Sequence, residues 1–163
     1  MPLQSAVSAA GLAVVLATGA AAMARAESTD KQAALAAPLL APWAGPYGGV
    51  PPFDKVTVES LAPALEVGMA QNLAEVDLIA TNPEPPTFEN TIAALERAGR
   101  ALSRAATVYN VYNSTLNDDA VQAVERDMEP RLAAFNDQVF QNERLFKRIS
   151  AVYDARETSA LTP

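Results

Sequence analysis

Apolar side chains recur at helical spacing through most of the chain beyond residue 56. The first such run predicts a helix that starts near Glu59 or Ser60 and ends near Thr81. Pro63 has no amide hydrogen to donate, so we expect it in the first turn of this helix. The apolar stripe consists of Leu61, Leu65, Met69, Leu73, Val76 and Ile79.

A second run predicts one continuous helix from Phe88 to about Tyr112. Gly99 and Ala106 are small residues on its apolar seam, which allows a neighbouring helix to approach closely. The seam alternates steps of four and three over Phe88, Ile92, Leu95, Gly99, Leu102, Ala106 and Tyr109.

Two more helices are predicted beyond a turn at residues 113–115. Asn117 is the expected N-cap of the third, because Asp118 and Asp119 then lie at the positive end of the helix dipole. Its apolar phase continues across Pro130, which indicates a kink and not a break. Asn142 is the expected N-cap of the fourth. Inward positions are Val121, Val124, Met128, Leu132, Phe135 and Val139 on the third helix, and Leu145, Phe146, Ile149, Val152 and Tyr153 on the fourth.

These patterns predict an all-α fold of about four amphipathic helices in antiparallel succession. Residues 27–55 precede them and predict an extended strap, because they contain many prolines and glycines and no periodic run beyond a short KQAALAA. We expect the apolar side chains of the strap to anchor it on the folded body; the alternative is a linker without fixed contacts. These side chains are Leu39, Leu40, Trp43, Tyr47 and Phe53.

Residues 1–26 have the pattern of a secretory signal peptide. An apolar stretch from Ala6 to Ala24 is followed by Ala24-Arg25-Ala26, which suits cleavage after Ala26. No Lys or Arg precedes the apolar stretch, so an uncleaved anchor or a buried alanine-rich helix stays open. The predicted division is therefore a signal peptide (1–26), a strap (27–55) and a helical region (56–163). The expected product is secreted, with no stable membrane anchor after cleavage.

Composition narrows the possible functions. The net charge of −7 is not offset by a basic run, which argues against nucleic acid as a partner. The chain contains no cysteine and no histidine, so it cannot by itself supply a disulfide, a thiolate nucleophile, a Ser-His-Asp triad or a zinc site of the usual His and Cys ligands. We predict no catalytic, cofactor-binding or metal-binding residue in this chain.

Four weaker signals have a structural interpretation beside a functional one. Arg97, Arg100 and Arg104 could receive a carboxylate, although such a stripe is more often a solvated face. A cluster of acids could hold a hard cation, but it lacks the spacing of a calcium loop. The pattern P-x-x-P at Pro83 and Pro86 is the minimal polyproline ligand, yet it lies between two helices. Tyr109, Tyr112 and Tyr153 are expected at core edges. The acids are Asp118, Asp119, Glu125, Asp127 and Glu129.

The stretch NPEPPTFENT, residues 82–91, is best explained as the connection between the first two helices. Asn82 and Pro83 end the first helix, Pro85 and Pro86 keep the turn extended, and Thr87 caps the second.

Three ordered segments resemble the N-terminal region of the thimet oligopeptidase family of zinc peptidases, and within it the branch of peptidyl-dipeptidase Dcp and oligopeptidase A. The turn NPEPPTFENT, followed by a helix, is the most specific part. The segments are PLLAPWAGPYGGVPPFDKV (38–56), SLAPALEVGMAQNLAEVDLIATNPEPPTFENTIAALERAGRALSRAATVYN (60–110) and EPRLAAFNDQVFQNERLFKRISAVYD (129–154).

The resemblance implies an almost wholly helical enzyme that cuts short unstructured peptides inside a deep channel. Its zinc would be held by two histidines of an HExxH helix and a downstream glutamate, none of which can be carried over to a chain without histidine. The resemblance thus implies that this chain forms a channel wall, and that zinc and catalysis belong to a missing C-terminal region. Leu161-Thr162-Pro163 reads as a helix start and agrees with truncation. The alternative is a self-contained secreted helical module that binds peptides or a partner without catalysis.

Overall fold

The computed structural model describes residues 27–47 and 49–157, and the all-α prediction is confirmed. These residues form helices and turns without a strand; an isolated bridge joins Ala44 and Val50. The predicted signal peptide and the helix start at Leu161 lie outside the described residues. The helices are α1 (27–40), α2 (Val58–Ala80), α3 (Ala94–Arg97), α4 (Arg100–Thr115), α5 (Asp119–Phe140) and α6 (Glu143–Asp154), with a 3-10 turn at Phe53–Lys55 and a π-helical segment at Phe88–Ala93.

Helix α2 is the centre of the fold and contacts α4, α5 and α6. Its predicted stripe is confirmed, since every position is buried except Leu73, which is half-buried. Gly68 lets α4 come close, because a Cβ atom on it would lie 2.9 Å from the Cα atom of Leu102. The main core joins α2 to the neighbouring elements through Ala36, Leu39, Val56, Leu61, Ala64, Leu65, Met69, Leu102, Ala105, Val108, Tyr109, Met128 and Phe135.

A second, smaller core lies at the C-terminal end of α2. There Val76, Ile79 and Ala80 pack with Leu145 of α6. Half-buried Leu95 and Ile149 cover this cluster. The two ends of α2 therefore bury different partners, and α6 belongs to the second core.

The predicted strap is wrong in its first half, because residues 27–40 form α1. Alanine, leucine, glutamine and lysine are strong helix formers, and Ala36 and Leu39 gain complete burial in the main core. Residues 41–52 contain no helix, as predicted for a strap. Trp43 and Leu40 pack against the core as expected, whereas Tyr47 is fully exposed and Phe53 is 43% exposed.

The predicted second helix is not continuous. Ala98 is extended and Gly99 adopts a left-handed conformation (φ 73°), so the chain turns before α4 begins at Arg100. The amide of Gly99 donates to Glu75 Oε2 at 2.6 Å, which fixes the break against α2. Gly99 is therefore needed for its backbone conformation, and a Cβ atom there would also lie 2.6 Å from Asn72 Nδ2.

Smaller corrections concern helix ends and faces. The N-cap of α5 is Asp118, whose side chain accepts from the amide of Val121, and not Asn117. Pro63 lies in the second turn of α2, because that helix begins at Val58.

Helix α5 runs through Pro130 without a break, and Asn142 caps α6 as predicted. The inward positions of α5 are confirmed as buried or half-buried. On α6, however, Phe146 and Tyr153 are exposed.

Replacing Gly68 with alanine tests the close contact of α2 and α4. The methyl group would meet the backbone of Leu102, so we expect Gly68→Ala to lower the free energy of unfolding by about 1–3 kcal/mol despite the better helix propensity of alanine. Chemical denaturation measures the change. Ala74→Leu adds bulk on the exposed side of the same helix and should stay within about 0.5 kcal/mol of the wild type. Equal effects of both substitutions would contradict this packing.

Candidate functional site: the proline-rich turn and the adjoining apolar groove

The turn at residues 82–87 is held by local side-chain hydrogen bonds, as its sequence predicts. Thr87 Oγ1 accepts from the amide of Asn90 at 3.1 Å, and Asn90 Oδ1 accepts from the amide of Thr87 at 2.8 Å. At the start of the turn, Asn82 Oδ1 accepts from the amide of Glu84 at 2.9 Å. The predicted cap at Thr87 is confirmed, although the helix that it opens begins with a π-helical segment.

A buried arginine from α6 completes the turn. Arg148 is only 7% exposed, and its Nη1 atom donates to the carbonyl oxygens of Asn82 at 2.8 Å and Glu84 at 3.0 Å. Its Nη2 atom donates to Asn90 Oδ1 at 2.9 Å. The planar guanidinium thus joins the two ends of a turn that lies more than sixty residues earlier in the chain.

Asn90 is the meeting point of these hydrogen bonds. Its Oδ1 atom accepts from Arg148 and from the amide of Thr87, and also from Thr91 Oγ1 at 2.9 Å. Its Nδ2 atom donates to the carbonyl of Pro85 at 3.0 Å. The prolines of this stretch therefore belong to a turn fixed from both sides, which supports the structural interpretation of the P-x-x-P pattern.

The sequence prediction missed Arg148, although a signal was present. It lies three residues after Leu145 and four before Val152, two buried positions of α6, and so falls on the inward stripe of that helix. An arginine on a buried stripe needs acceptors inside the protein, because an unpaired buried charge is costly. Only the folded structure shows that the acceptors are carbonyls of the distant proline-rich turn.

The arginine stripe of the second predicted helix does not form one site. Arg97 pairs with Glu89 at 2.7 Å, while Arg104 donates through Nε to the carbonyl of Leu40 at 3.1 Å and so caps α1. Arg100 is exposed on the first turn of α4. Because Arg97 and Arg104 are engaged elsewhere, the geometry does not favour a common carboxylate-binding site.

The acidic residues also have separate roles. Asp118 caps α5, and Asp127 pairs with Arg131 at 3.1 Å. Glu125 accepts from Asn113 Nδ2 at 3.1 Å, and Glu129 accepts from the hydroxyl of Tyr109 at 3.2 Å. Within residues 27–47 and 49–157, no three His, Cys, Asp or Glu side chains are placed to hold a metal ion.

The three tyrosines expected at core edges have different environments. Tyr109 is buried, and Tyr112 is half-buried with its hydroxyl donating to the carbonyl of Val56 at 3.3 Å. The prediction is wrong for Tyr153, which is exposed and has Arg156 over its ring at 3.9 Å.

An apolar groove lies where α3, α5 and α6 meet, and α6 is also the helix that carries Arg148. Phe140 at the end of α5 is 84% exposed and Phe146 on α6 is 66% exposed, and both line it. Its other apolar walls are Leu95, Val139, Leu145 and Ile149. We call this surface the Phe140–Phe146 groove. Large apolar side chains grouped on one surface are typical of an interaction site.

The donor set of the chain does not fit a catalytic zinc site. Such sites use histidine together with cysteine or carboxylate ligands, and the sequence contains neither histidine nor cysteine. The carboxylates of Asp118, Asp127 and Glu129 instead serve in the cap of α5, an ion pair and a hydrogen bond to Tyr109. No step of a zinc-dependent reaction can therefore be assigned to the described residues.

Two curated proteins, both bacterial peptidases, are similar to this chain. Dipeptidyl carboxypeptidase of Escherichia coli (strain K12) is 35% identical over 111 residues, and dipeptidyl carboxypeptidase of Salmonella typhimurium (strain LT2) is 32% identical over 111 residues. Each match covers 68% of this chain and 16% of the relative. No family model matches the chain.

The predicted resemblance to the thimet oligopeptidase family, in its dipeptidyl carboxypeptidase branch, is therefore confirmed. The similarity extends over only a part of such a protein. The chain spans about one sixth of the length of the curated relatives that it matches. Among the described helices, none is both long enough and apolar enough to span a membrane.

Substituting Arg148 tests the fixed turn. Arg148→Ala would take this donor from the carbonyls of Asn82 and Glu84 and would remove one of three donors to Asn90 Oδ1, so we expect the free energy of unfolding to fall by about 2–5 kcal/mol. Arg144→Ala removes an exposed arginine from the same helix and should change the free energy of unfolding by less than about 0.5 kcal/mol. Urea denaturation of both variants measures the difference. A small effect at position 148 would show that the turn forms without the guanidinium.

Burial and the hydrogen bond to Glu129 raise the pKa of Tyr109 to about 12. An unfolded tyrosine ionises near pH 10, so the folded state keeps a proton that the unfolded state releases above that pH. The stabilisation is complete below about pH 10 and is lost as the pH rises towards about 12. Tyr109→Phe should therefore lower the free energy of unfolding at neutral pH by about 1 kcal/mol. The difference between the variant and the wild type should become smaller above about pH 10.

Thermal unfolding of the wild type and Tyr109→Phe between about pH 7 and about pH 11 measures this difference. Tyr153→Phe is the matched control at an exposed ring and should show no such narrowing. A stability difference between the wild type and Tyr109→Phe that does not change with pH would contradict the raised pKa of Tyr109.

Proposed function

We propose that this chain is a helical part of a zinc metallopeptidase of the dipeptidyl carboxypeptidase type, which hydrolyses short unstructured peptides. The observation that carries this proposal is the identity of 35% over 111 residues to an enzyme that is far longer than the match. Zinc, the HExxH motif and the reacting groups would then lie in the portion of the parent enzyme that this chain does not match.

The proposed role of the chain itself is that of a channel wall. Its helices are joined by short connections, and the turn before the π-helical segment is held by Arg148 and Asn90. A wall fixed in this way would admit an extended peptide and exclude a folded protein by its shape, without taking part in proton transfer or metal binding. Short peptides and the remainder of the enzyme are the partners that this role requires.

The proposed location is the periplasm. The composition of residues 1–26 supports export and cleavage after Ala26, and the acidic net charge of −7 suits a protein that does not bind nucleic acid. Residues 27–163 would then belong to the mature enzyme.

A self-contained helical module that binds peptides or a partner is the second candidate. It is favoured by the main core, in which several large side chains, among them Leu39, Leu61, Leu65 and Met128, are completely buried by residues of this chain alone. A module of this kind would have no catalytic activity, with or without further sequence.

Activity measurements separate the two candidates. We expect purified residues 27–163 to hydrolyse no short peptide with zinc or any other added divalent metal, because the chain offers no histidine or cysteine ligand. The reading frame beyond codon 163 should encode HExxH, and the product of the whole frame should cleave the same peptides in a zinc-dependent way. Zinc-dependent cleavage by residues 27–163 alone would contradict the proposal. A stop codon directly after codon 163 would leave the binding module as the function.

A further inference from the structure

The Phe140–Phe146 groove is a built surface with a fixed shape. Its apolar walls continue into the second core, since Ile149, Leu95 and Val139 pack against Val76, Ile79, Ala80 and Leu145. The junction between α5 and α6 is fixed at its rim by Asn142, whose Oδ1 atom accepts from the amide of Leu145 at 3.0 Å. The groove therefore has a firm floor, while its two phenylalanine rings project into solvent.

The chemistry of the groove suits a helix better than an extended peptide. Its lining is largely apolar, and the amide oxygen of Asn142 already serves to cap α6. An extended peptide laid there would leave its backbone groups without partners, whereas a helix satisfies its own amides and carbonyls internally. The occupant thus needs apolar side chains at helical spacing to pack between the two rings. Glu143 and Lys147 at the rim would pair with charges of opposite sign on its flanks.

We propose that the Phe140–Phe146 groove receives an amphipathic helix from the portion of the parent enzyme that this chain does not match. The inference rests on the proposed function, and it assigns a partner to the exposed face. The relatives are about six times longer than the matched region, so the parent has ample further chain to supply such a helix. A second copy of this chain fits less well, because two chains that each carry a net charge of −7 repel one another.

The absence of cysteine makes a single introduced thiol a clean reporter in this chain. Phe146→Cys places the thiol in the groove, and Lys147→Cys places one at its rim with less effect on packing. Leu116→Cys is the matched control, because Leu116 is 59% exposed at the C-terminal end of α4, away from the groove. In residues 27–163 alone, iodoacetamide should modify all three thiols at similar rates.

The decisive comparison uses the same substitutions in the product of the whole reading frame, with modification at each position followed by peptide mass. We expect the rates at positions 146 and 147 to fall at least tenfold relative to residues 27–163 alone. An active enzyme in which both positions react as fast as in the shorter chain would overturn this inference and leave the proposed function intact.

Two further outcomes would also overturn the inference. Protection of position 146 in residues 27–163 that disappears on dilution would assign the groove to a second copy of the chain. A reading frame that ends at codon 163 would remove the occupant and would overturn the proposed function as well. If Phe146→Cys does not fold in the longer product, the modification rate of Lys147→Cys in that product, compared with the rate in residues 27–163, tests the inference alone.

Discussion

The buried guanidinium of Arg148 is the interaction that holds α6 to the proline-rich turn. It comes from α6 and binds two carbonyls and one side-chain oxygen of the segment that follows α2. Burial of an arginine is costly unless its donors are used, and here both terminal nitrogens have acceptors, whereas the buried Nε atom has none among the described residues. The bond sets the position of α6 beside α2 and the path of the chain into the π-helical segment. The second core and the Phe140–Phe146 groove both follow from that position.

Local chemistry and periodicity were sufficient to predict much of the fold. The stripe of α2 and the inward positions of α5 follow from helical spacing, because each of these helices buries one face along its length. Thr87 and Asn142 were predicted as caps because their side chains satisfy amides within three residues. The connection at residues 82–87 could also be predicted from the sequence, because its prolines and capping side chains act on residues close to them in the chain.

The errors arise where a contact with a distant residue decides the structure. Helix α1 is stabilised by burial of Ala36 and Leu39 and by Arg104, which the composition of a proline-rich region does not reveal. Gly99 continues an apolar period yet breaks the helix, because Glu75 accepts its amide hydrogen and favours a left-handed turn. Phe146 was expected in the core, whereas the geometry of α6 places Arg148 inward and leaves Phe146 on the surface. The candidate site therefore could not be predicted in full.

The central proposal is that the sequence forms one part of a much longer peptidase. It is supported by the similarity to dipeptidyl carboxypeptidases, which covers 16% of their length, and by the exposed phenylalanines of the groove. An antibody raised against residues 27–157, applied to extracts of cells that produce the protein, measures the mass of the natural product directly. The account predicts a polypeptide several times heavier than 17.2 kDa, enriched in the periplasmic fraction. A product of 17.2 kDa or less, with no larger form, would contradict it.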